Sequence, residues 1–559
     1  MCDLGALDNL IANTAYLEAR KSGDGAGGSG KKRRCSMVLP GPRGAQCVDM
    51  RAKVAGTQTY AGLCEEQPVG RRLFRQFAGG VPEYAHAVEF LDEAEQVQLS
   101  EDGAREGLAA ATVAAFLRAD SERSLTFLSA ELAAAAASAG GQEAEELVHR
   151  ARGEARLFLV GQPFQEFLAS PFFDRLLQWK VLERQPVNER SFYEFRTLGK
   201  GGFGEVCAIQ GKLSGKMYAC KKLDKKRLKK KHGEQMALLE KEILESVNSP
   251  FVVRLAYAYQ TKTHLCLVMS LMNGGDLKYH IYEMGERGLS PARTLFYAAQ
   301  ITCGLQHLHA ARIVYRDMKP ENVLLDERGH CRLSDLGLAV VLADGQETIR
   351  QRAGTNGYMS PEVVLEEPYA FDADWFATGC TVYEMICGRA PFKDYREKVS
   401  KEEVRRRTLE DAVVFSHPAF TDQSRDLCTL MLAKKAQERL GCRGPDDDPR
   451  RHDFFRAVNF QRLEAGLGDP PFVPDPGIVY AKDVGDIQDF SETKGVELDD
   501  KDRGFYARFA TGPVPLAWQE EMIEMGLFEE VNNDGDTEGG RGDGVNGDVG
   551  RKSGVCHLL

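Results

Sequence analysis

Residues 313–322 read Ile313-Val314-Tyr315-Arg316-Asp317-Met318-Lys319-Pro320-Glu321-Asn322. The pattern is H-R-D-x-x-x-x-N with tyrosine in the place of histidine, the loop that positions a hydroxyl for phosphoryl transfer. In it Asp317 would accept the proton of a substrate hydroxyl and Asn322 would hold a magnesium ion. Lys319 stands between them, where a cation meets the charge developing on the transferred group. R-D-x-x-x-x-N alone arises by chance, so its neighbours decide the reading.

Upstream, Leu198-Gly199-Lys200-Gly201-Gly202-Phe203-Gly204-Glu205-Val206 fits G-x-G-x-x-G-x-V. Glycines there let a strand-turn-strand fold closely over nucleotide phosphates. The same spacing marks dinucleotide-binding folds, which need a helix directly after the glycines. Here Val206-Cys207-Ala208-Ile209, the turn signal Ser214-Gly215 and Met217-Tyr218-Ala219-Cys220-Lys221 predict a second strand instead. Lys221 takes the place of the lysine that pairs the α- and β-phosphates, with Glu240 as its expected helical partner and Glu242 as the rival. Leu265 to Met272 predicts a strand and hinge for adenine, with Met269 as the bulky residue at the back. Ala219 and Met272 join it in the ATP site, and Asp276 is expected to reach the ribose.

Downstream, Leu333-Ser334-Asp335-Leu336-Gly337 stands where D-F-G belongs, so Asp335 is the second metal-binding residue. Ser360-Pro361-Glu362 replaces A-P-E. Glu362 is expected to pair with Arg439, and Asp374-Trp375-Phe376-Ala377-Thr378-Gly379 to open a large central helix. In this order the motifs define a protein kinase that uses ATP and Mg2+. Every ionic role is filled, which argues against an inactive kinase fold.

A chain of 559 residues is too long for one core, so two or three domains are expected. Hydrophobic content of 43% and charged content of 28% are those of a soluble globular protein. A net charge of -11 gives no reason to expect nucleic-acid binding. No apolar run reaches the ~20 residues that span a bilayer, and no basic n-region of a signal peptide precedes Asp3 and Asp8. The fourteen cysteines lack C-x-x-C pairs and read as reduced thiols, not as disulfides or a zinc site.

Along the chain, residues 1–21 predict an amphipathic helix on Leu4, Leu7, Leu10 or Ile11, Thr14 and Leu17. Residues 22–49 read as a flexible basic linker, in which Arg33-Arg34-Cys35-Ser36 makes Ser36 a candidate phosphorylation site. Residues 50–185 predict an all-helical domain, alanine-rich from Ala104 to Ala155, with an aromatic core from Phe164 to Trp179. The kinase domain spans 192–455. Its lysine-rich run from Lys221 through Lys231 predicts a solvated helical face, or a patch for anionic lipid. Gln351 stands where many such kinases carry a phosphorylated threonine, so another contact is expected to align Lys221 with Glu240. Residues 456–530 form a proline-containing tail, residues 531–555 a Gly- and Asp-rich linker, and residues 556–559 the C-a-a-X signal Cys556-His557-Leu558-Leu559. A terminal leucine favours geranylgeranyl on Cys556, and a second membrane attachment is then required.

The ensemble of N-terminal helix, helical domain, kinase with D-L-G, proline-containing tail and C-a-a-X resembles the G-protein-coupled receptor kinases over nearly the whole chain. Met1 through Leu17 is similar to the visual branch, and Ser36 with the Leu-ending terminus is similar to its cone side. The resemblance implies an α+β multidomain architecture. A bilobal kinase of the AGC group is inserted in an all-α regulator-of-G-protein-signalling homology domain, which a segment near 500–530 returns to complete. It implies that residues 470–495 form a tail crossing the nucleotide site. The implied substrate is light-activated opsin, engaged by the N-terminal helix in place of loop phosphorylation. Implied partners are the membrane surface, a recoverin-type calcium sensor on the same helix, and a Gα subunit. Two other readings remain open: an AGC kinase of another receptor or a soluble substrate, and a Gα-binding scaffold without turnover.

Overall fold

The structure, a computed structural model, describes residues 4–23, 37–137, 139–480 and 495–533. Ser36, Cys556 and the linker beyond residue 533 lie outside them. In chain order, helix α1 (Leu4–Gly23) precedes α2 (Ala45–Val54), α3 (Pro68–Ala78), α4 (Pro82–Leu99), α5 (Asp102–Thr112), α6 (Ala130–Ala136), α7 (Gln142–Val160), α8 (Gln162–Leu168) and α9 (Pro171–Leu182). Then come β1 (Phe192–Lys200), β2 (Gly204–Gly211), β3 (Met217–Asp224), α10 (Lys225–Lys230), α11 (Glu234–Ser246), β4 (Leu255–Gln260) and β5 (His264–Ser270). A mainly helical stretch follows: α12 (Leu277–Tyr282), α13 (Pro291–Ala310), short strands β6 (Ile313–Val314), β7 (Val323–Leu325), β8 (Cys331–Leu333) and β9 (Val340–Val341), then α14 (Pro361–Val364), α15 (Asp372–Cys387), α16 (Lys401–Glu410), α17 (Asp422–Met431) and α18 (Phe460–Glu464). The last elements are α19 (Asp500–Ala507), β10 (Gly512–Pro513), α20 (Pro515–Glu524) and α21 (Leu527–Asn533).

Contacts divide the chain into two units. One gathers Met1–Gly28, Val187–Gly211 and Gly215–Val514; the other gathers the described parts of Ser29–Pro186, Lys212–Ser214 and Pro515–Leu559. In the helical unit, proline occupies the first turn of α3, α4 and α9, where a missing N–H costs nothing. Phe74, Phe164, Phe167 and Phe173 are buried together. A second core uses the alanine-rich sequence directly: Ala109, Ala144, Ala151 and Ala155 are fully buried beside Phe90 and Phe116. Small side chains there let α4, α5 and α7 approach closely. Trp518 of α20 is buried against Trp179, with ring centroids 6.0 Å apart, and Phe528 lies 5.6 Å from Trp179. Residues 500–514 cluster with the kinase unit instead.

The kinase unit opens with a six-stranded antiparallel sheet in the order β1-β2-β3-β5-β4-β10. The large lobe is built on α13 and α15. Every residue of α15 from Ala373 to Cys387 is buried, and its acids Asp374 and Glu384 are buried with hydrogen-bond partners. Helix α1 belongs to this unit, and the side chains of Leu4, Leu7, Leu10 and Ile11 lie outside the described residues. Tyr16 and Ala19 are buried, Leu17 is half-buried and Thr14 is exposed. Tyr16 packs with Leu198, Ala208, Ala219 and Leu271, and its hydroxyl donates to Asn273 Oδ1 at 2.6 Å.

Candidate active site

The glycine-rich segment is the β1–β2 hairpin. Leu198, Gly199 and Lys200 end β1, Gly201 to Phe203 make the turn, and Gly204, Glu205 and Val206 begin β2. The turn is closed by Gly201 N–H donating to Gly204 O at 2.8 Å. A Cβ at Gly204 would fall 1.7 Å from Lys222 O, so the sheet itself demands glycine. Added Cβ atoms at Gly199 and Gly201 would meet nothing within 4 Å. Among the described residues no atom accounts for those two glycines, which is the expectation for a cradle that a phosphate chain fills.

Beneath the hairpin, β3 carries Ala219 and Lys221, and its partner strand β5 carries Met269, which sits opposite Ala219. Lys221 Nζ donates to Glu240 Oε1 of α11 at 2.6 Å and to Asp335 Oδ1 at 2.9 Å. Burial presses the Lys221 ammonium toward deprotonation, but Glu240 and Asp335 outweigh it and hold its pKa above the ordinary lysine value. Lys221 in turn holds the half-exposed Asp335 carboxyl below the usual carboxylate range. Glu242, the rival partner, lies 3.7 Å from Arg508. Asp335 adopts a left-handed conformation, φ 53°, which costs a non-glycine residue free energy and is typical of functional loops.

Asp317 is buried, and three side chains converge on it with four hydrogen bonds. Lys319 Nζ donates to Oδ2 at 2.6 Å, Asn322 Nδ2 to the same oxygen at 2.9 Å, and Thr355 Oγ1 to Oδ1 at 2.7 Å. Asn322 Nδ2 also donates to Asp317 O at 2.8 Å. Lys319 Nζ reaches Thr355 Oγ1 at 2.8 Å, closing a ring of contacts. The loop is pinned from below by buried Asp374, which accepts the backbone N–H of Tyr315 at 2.9 Å and of Arg316 at 2.7 Å. Sequence reading missed Thr355 and the loop-holding role of Asp374. The signal for Thr355 was its place five residues before Ser360-Pro361-Glu362.

Arg316 occupies the position that would hold a phosphorylated activation segment. Its guanidinium is satisfied by neutral groups: Leu338 O at 2.6 Å, Gln351 Oε1 at 2.8 Å and Tyr369 OH at 3.4 Å. Glu362 and Arg439 meet as a buried bidentate pair at 2.6 and 3.1 Å. Met272 follows β5 in the hinge. Asp276, expected at the ribose, caps α12 by accepting Tyr279 N–H at 2.9 Å, and burial raises its pKa. The tail runs beside this hinge: Val479 packs into the cluster of Leu198 and Ala219, and Phe472 and Tyr480 lie 5.1 and 5.9 Å from the His280 ring. Residues 481–494 lie outside the described segments.

Part of the lysine-rich run is engaged inside the small lobe, while Lys226 and Lys230 of α10 stay exposed, as a solvated face predicts. Lys222 pairs with Glu194 at 2.6 Å, and buried Lys225 donates to Gln260 Oε1 and Thr261 O. Lys229 pairs with Asp502 at 2.7 Å, and Lys231 donates to Gly202 O at 2.8 Å. Among the described residues no helix is long and apolar enough to cross a membrane.

An acid held by a lysine and an amide, together with a lysine on the strand beside a glycine-rich hairpin that bonds a helical glutamate and a second acid, is the arrangement of a protein kinase, an enzyme that uses ATP and a divalent metal. The protein kinase domain model matches residues 192–449, and the regulator of G protein signaling domain model matches residues 59–176. Over 559 residues, all of both chains, the sequence is 58% identical to rhodopsin kinase grk7-a of Xenopus laevis. It is 58% identical to rhodopsin kinase GRK7 of Sus scrofa and 57% identical to that of Homo sapiens, again over 100% of both chains. The chain belongs to the rhodopsin kinase family.

Proposed function

We propose that this kinase transfers the γ-phosphoryl group of MgATP to serine and threonine hydroxyls in the cytoplasmic part of light-activated opsin, and so contributes to switching the receptor off. The single observation that carries the reading is the ring of Asp317, Lys319, Thr355 and Asn322 in a chain so similar to rhodopsin kinases along its whole length. Asp317 orients the acceptor hydroxyl and takes its proton. Lys319 carries the positive charge beside the group in flight. Lys221, held by Glu240, binds the α- and β-phosphates, and the Gly199–Gly204 hairpin covers them. Leu198, Ala219, Met269 and Met272 wall the adenine, with Asp276 toward the ribose. Asp335 and Asn322 offer hard oxygen donors, and Asp335 is kept ionised, a set that suits Mg2+. Bound there, the metal neutralises phosphate charge.

Arg316 already donates to Gln351, and Lys221 already meets Glu240, so loop phosphorylation is not required. Helix α1 docks to the activated receptor, and a recoverin-type calcium sensor competes for it. The helical domain offers a site for Gα. Prenylation of Cys556 and a second contact hold the enzyme peripherally on photoreceptor membranes, and phosphorylation of Ser36 tunes docking. Deleting residues 1–18 tests the reading. Activity on free peptide should survive while activity on illuminated opsin is lost. Equal loss on both substrates would favour a general kinase whose first helix is only structural.

A further inference from the structure

The helical unit contains a second cleft, of about 600 Å3, between the π-helical turn Ala61–Glu65, α3, α4 and α7. That volume lies within the roughly 300–1,000 Å3 typical of small-molecule sites. Its floor is apolar and aromatic: Tyr60 and Phe74 are buried and meet edge to face at 5.2 Å, with Val88 and Leu91 half-buried beside them. Its rim carries four arginines. Arg75 is matched by Asp92 at 2.7 Å, and Arg156 by both oxygens of Glu65 at 2.7 Å each. The other two have neutral partners. Arg71 donates to the backbone carbonyl of Glu65 at 3.1 Å, and Arg152 to Gln98 Oε1 at 2.6 Å.

A second observation comes from α7. Gly153 lies in the helix interior and lines this cleft, and an added Cβ would meet nothing within 4 Å. Glycine inside a helix is less favourable than alanine, and no neighbouring atom requires it here. Its effect is to leave this part of the cleft wall without a side chain.

We propose that this cleft binds a small organic anion, with a phosphoryl group between Arg71 and Arg152 and an apolar or planar body over Tyr60 and Phe74. The pairing follows from the charges: Glu65, Asp92 and Glu95 also line the cleft, so four arginines meet three acids, Arg71 and Arg152 bond only neutral oxygens, and guanidiniums form their strongest contacts with planar or phosphoryl anions. The site belongs to the helical unit and does not depend on the kinase reading.

The test uses 8-anilinonaphthalene-1-sulfonate, an aromatic body with a fixed anion, titrated into the full chain by fluorescence. Saturating MgATP keeps the nucleotide cleft filled. Wild type should show one saturable site. Gly153→Leu, which projects a side chain into the cleft, and the double variant Arg71→Gln with Arg152→Gln, which leaves the Asp92 and Glu65 pairs intact, should each weaken it by about tenfold or more. Melting temperature and phosphotransfer to a free peptide should stay at wild-type values in both. Displacement by inositol 1,4,5-trisphosphate would identify a soluble phosphorylated ligand. Displacement by dioctanoyl phosphatidylinositol 4,5-bisphosphate alone would identify a lipid; either supports the proposal. Unchanged dye binding in the double-arginine variant, or displacement by neither phosphate, overturns it.

Discussion

Asp317 has both carboxylate oxygens engaged by donors, Thr355 on one and Lys319 with Asn322 on the other. Asp317→Asn keeps the shape and removes the base. Turnover should fall by about 10^2–10^4-fold with the ATP dissociation constant nearly unchanged, measured by steady-state kinetics and nucleotide titration. Near-normal turnover would remove Asp317 from the mechanism. Glu384 makes a pH prediction. Its carboxyl accepts the hydroxyls of Tyr282 and, at 2.5 Å, Tyr358, and burial raises its pKa from 4.5 to about 7. A raised folded pKa means that the folded state holds the proton longer than the unfolded chain does. Stability from this group is therefore complete below pH ~4.5 and lost as pH rises through about 7. At about 1.4 kcal/mol per pKa unit the change is of order 3 kcal/mol. Glu384→Gln should flatten the stability profile between pH 5 and 8, read by chemical denaturation. A slope identical to wild type would assign the dependence elsewhere. Among single residues, Lys221, Glu240, Asp317, Asn322 and Asp335 were legible in sequence because charge chemistry at fixed spacing leaves few alternatives. Thr355 was not, because a hydroxyl serves many purposes and only the fold brings it to Asp317.

Helix α11, which carries Glu240, is supported by α19. Tyr506 and Phe509 are buried against the kinase core, and Arg508 and Thr511 reach Glu242 and Glu245. Phe509→Ala should destabilise the kinase unit by roughly 3–5 kcal/mol and raise the KM for ATP more than it lowers kcat, since Glu240 loses its backing. An unchanged KM would mean that α11 is held by the sheet alone. At this scale the strands and the hinge were readable from alternation and turn residues. The burial of Tyr16 was not, since it stands off the Leu4, Leu7 and Thr14 stripe that helical periodicity located. Nor was the fate of every lysine: Lys222, Lys229, Lys225 and Lys231 meet Glu194, Asp502 and the carbonyls of Thr261 and Gly202, while Lys226 and Lys230 stay exposed as a solvated face predicts.

Across the whole molecule, the chain leaves the helical unit near Pro186 and returns at Pro515. Trp518 then completes a core begun by Trp179 more than three hundred residues earlier. No local pattern could announce that pairing, although the aromatic spacing from Phe164 to Trp179 did announce a core. Trp518→Ala should cost the helical unit about 3–5 kcal/mol and appear as an early calorimetric transition, with peptide phosphorylation retained at low temperature. Loss of a single shared transition would show one cooperative unit instead. The most direct test of the catalytic and substrate reading together is phosphate incorporation into opsin-containing membranes in light and in darkness, with enzyme first treated with phosphatase. Incorporation should be rapid in light, low in darkness and absent with Asp317→Asn. Equal incorporation in darkness, a strict need for prior loop phosphorylation, or undiminished incorporation with the variant would contradict it.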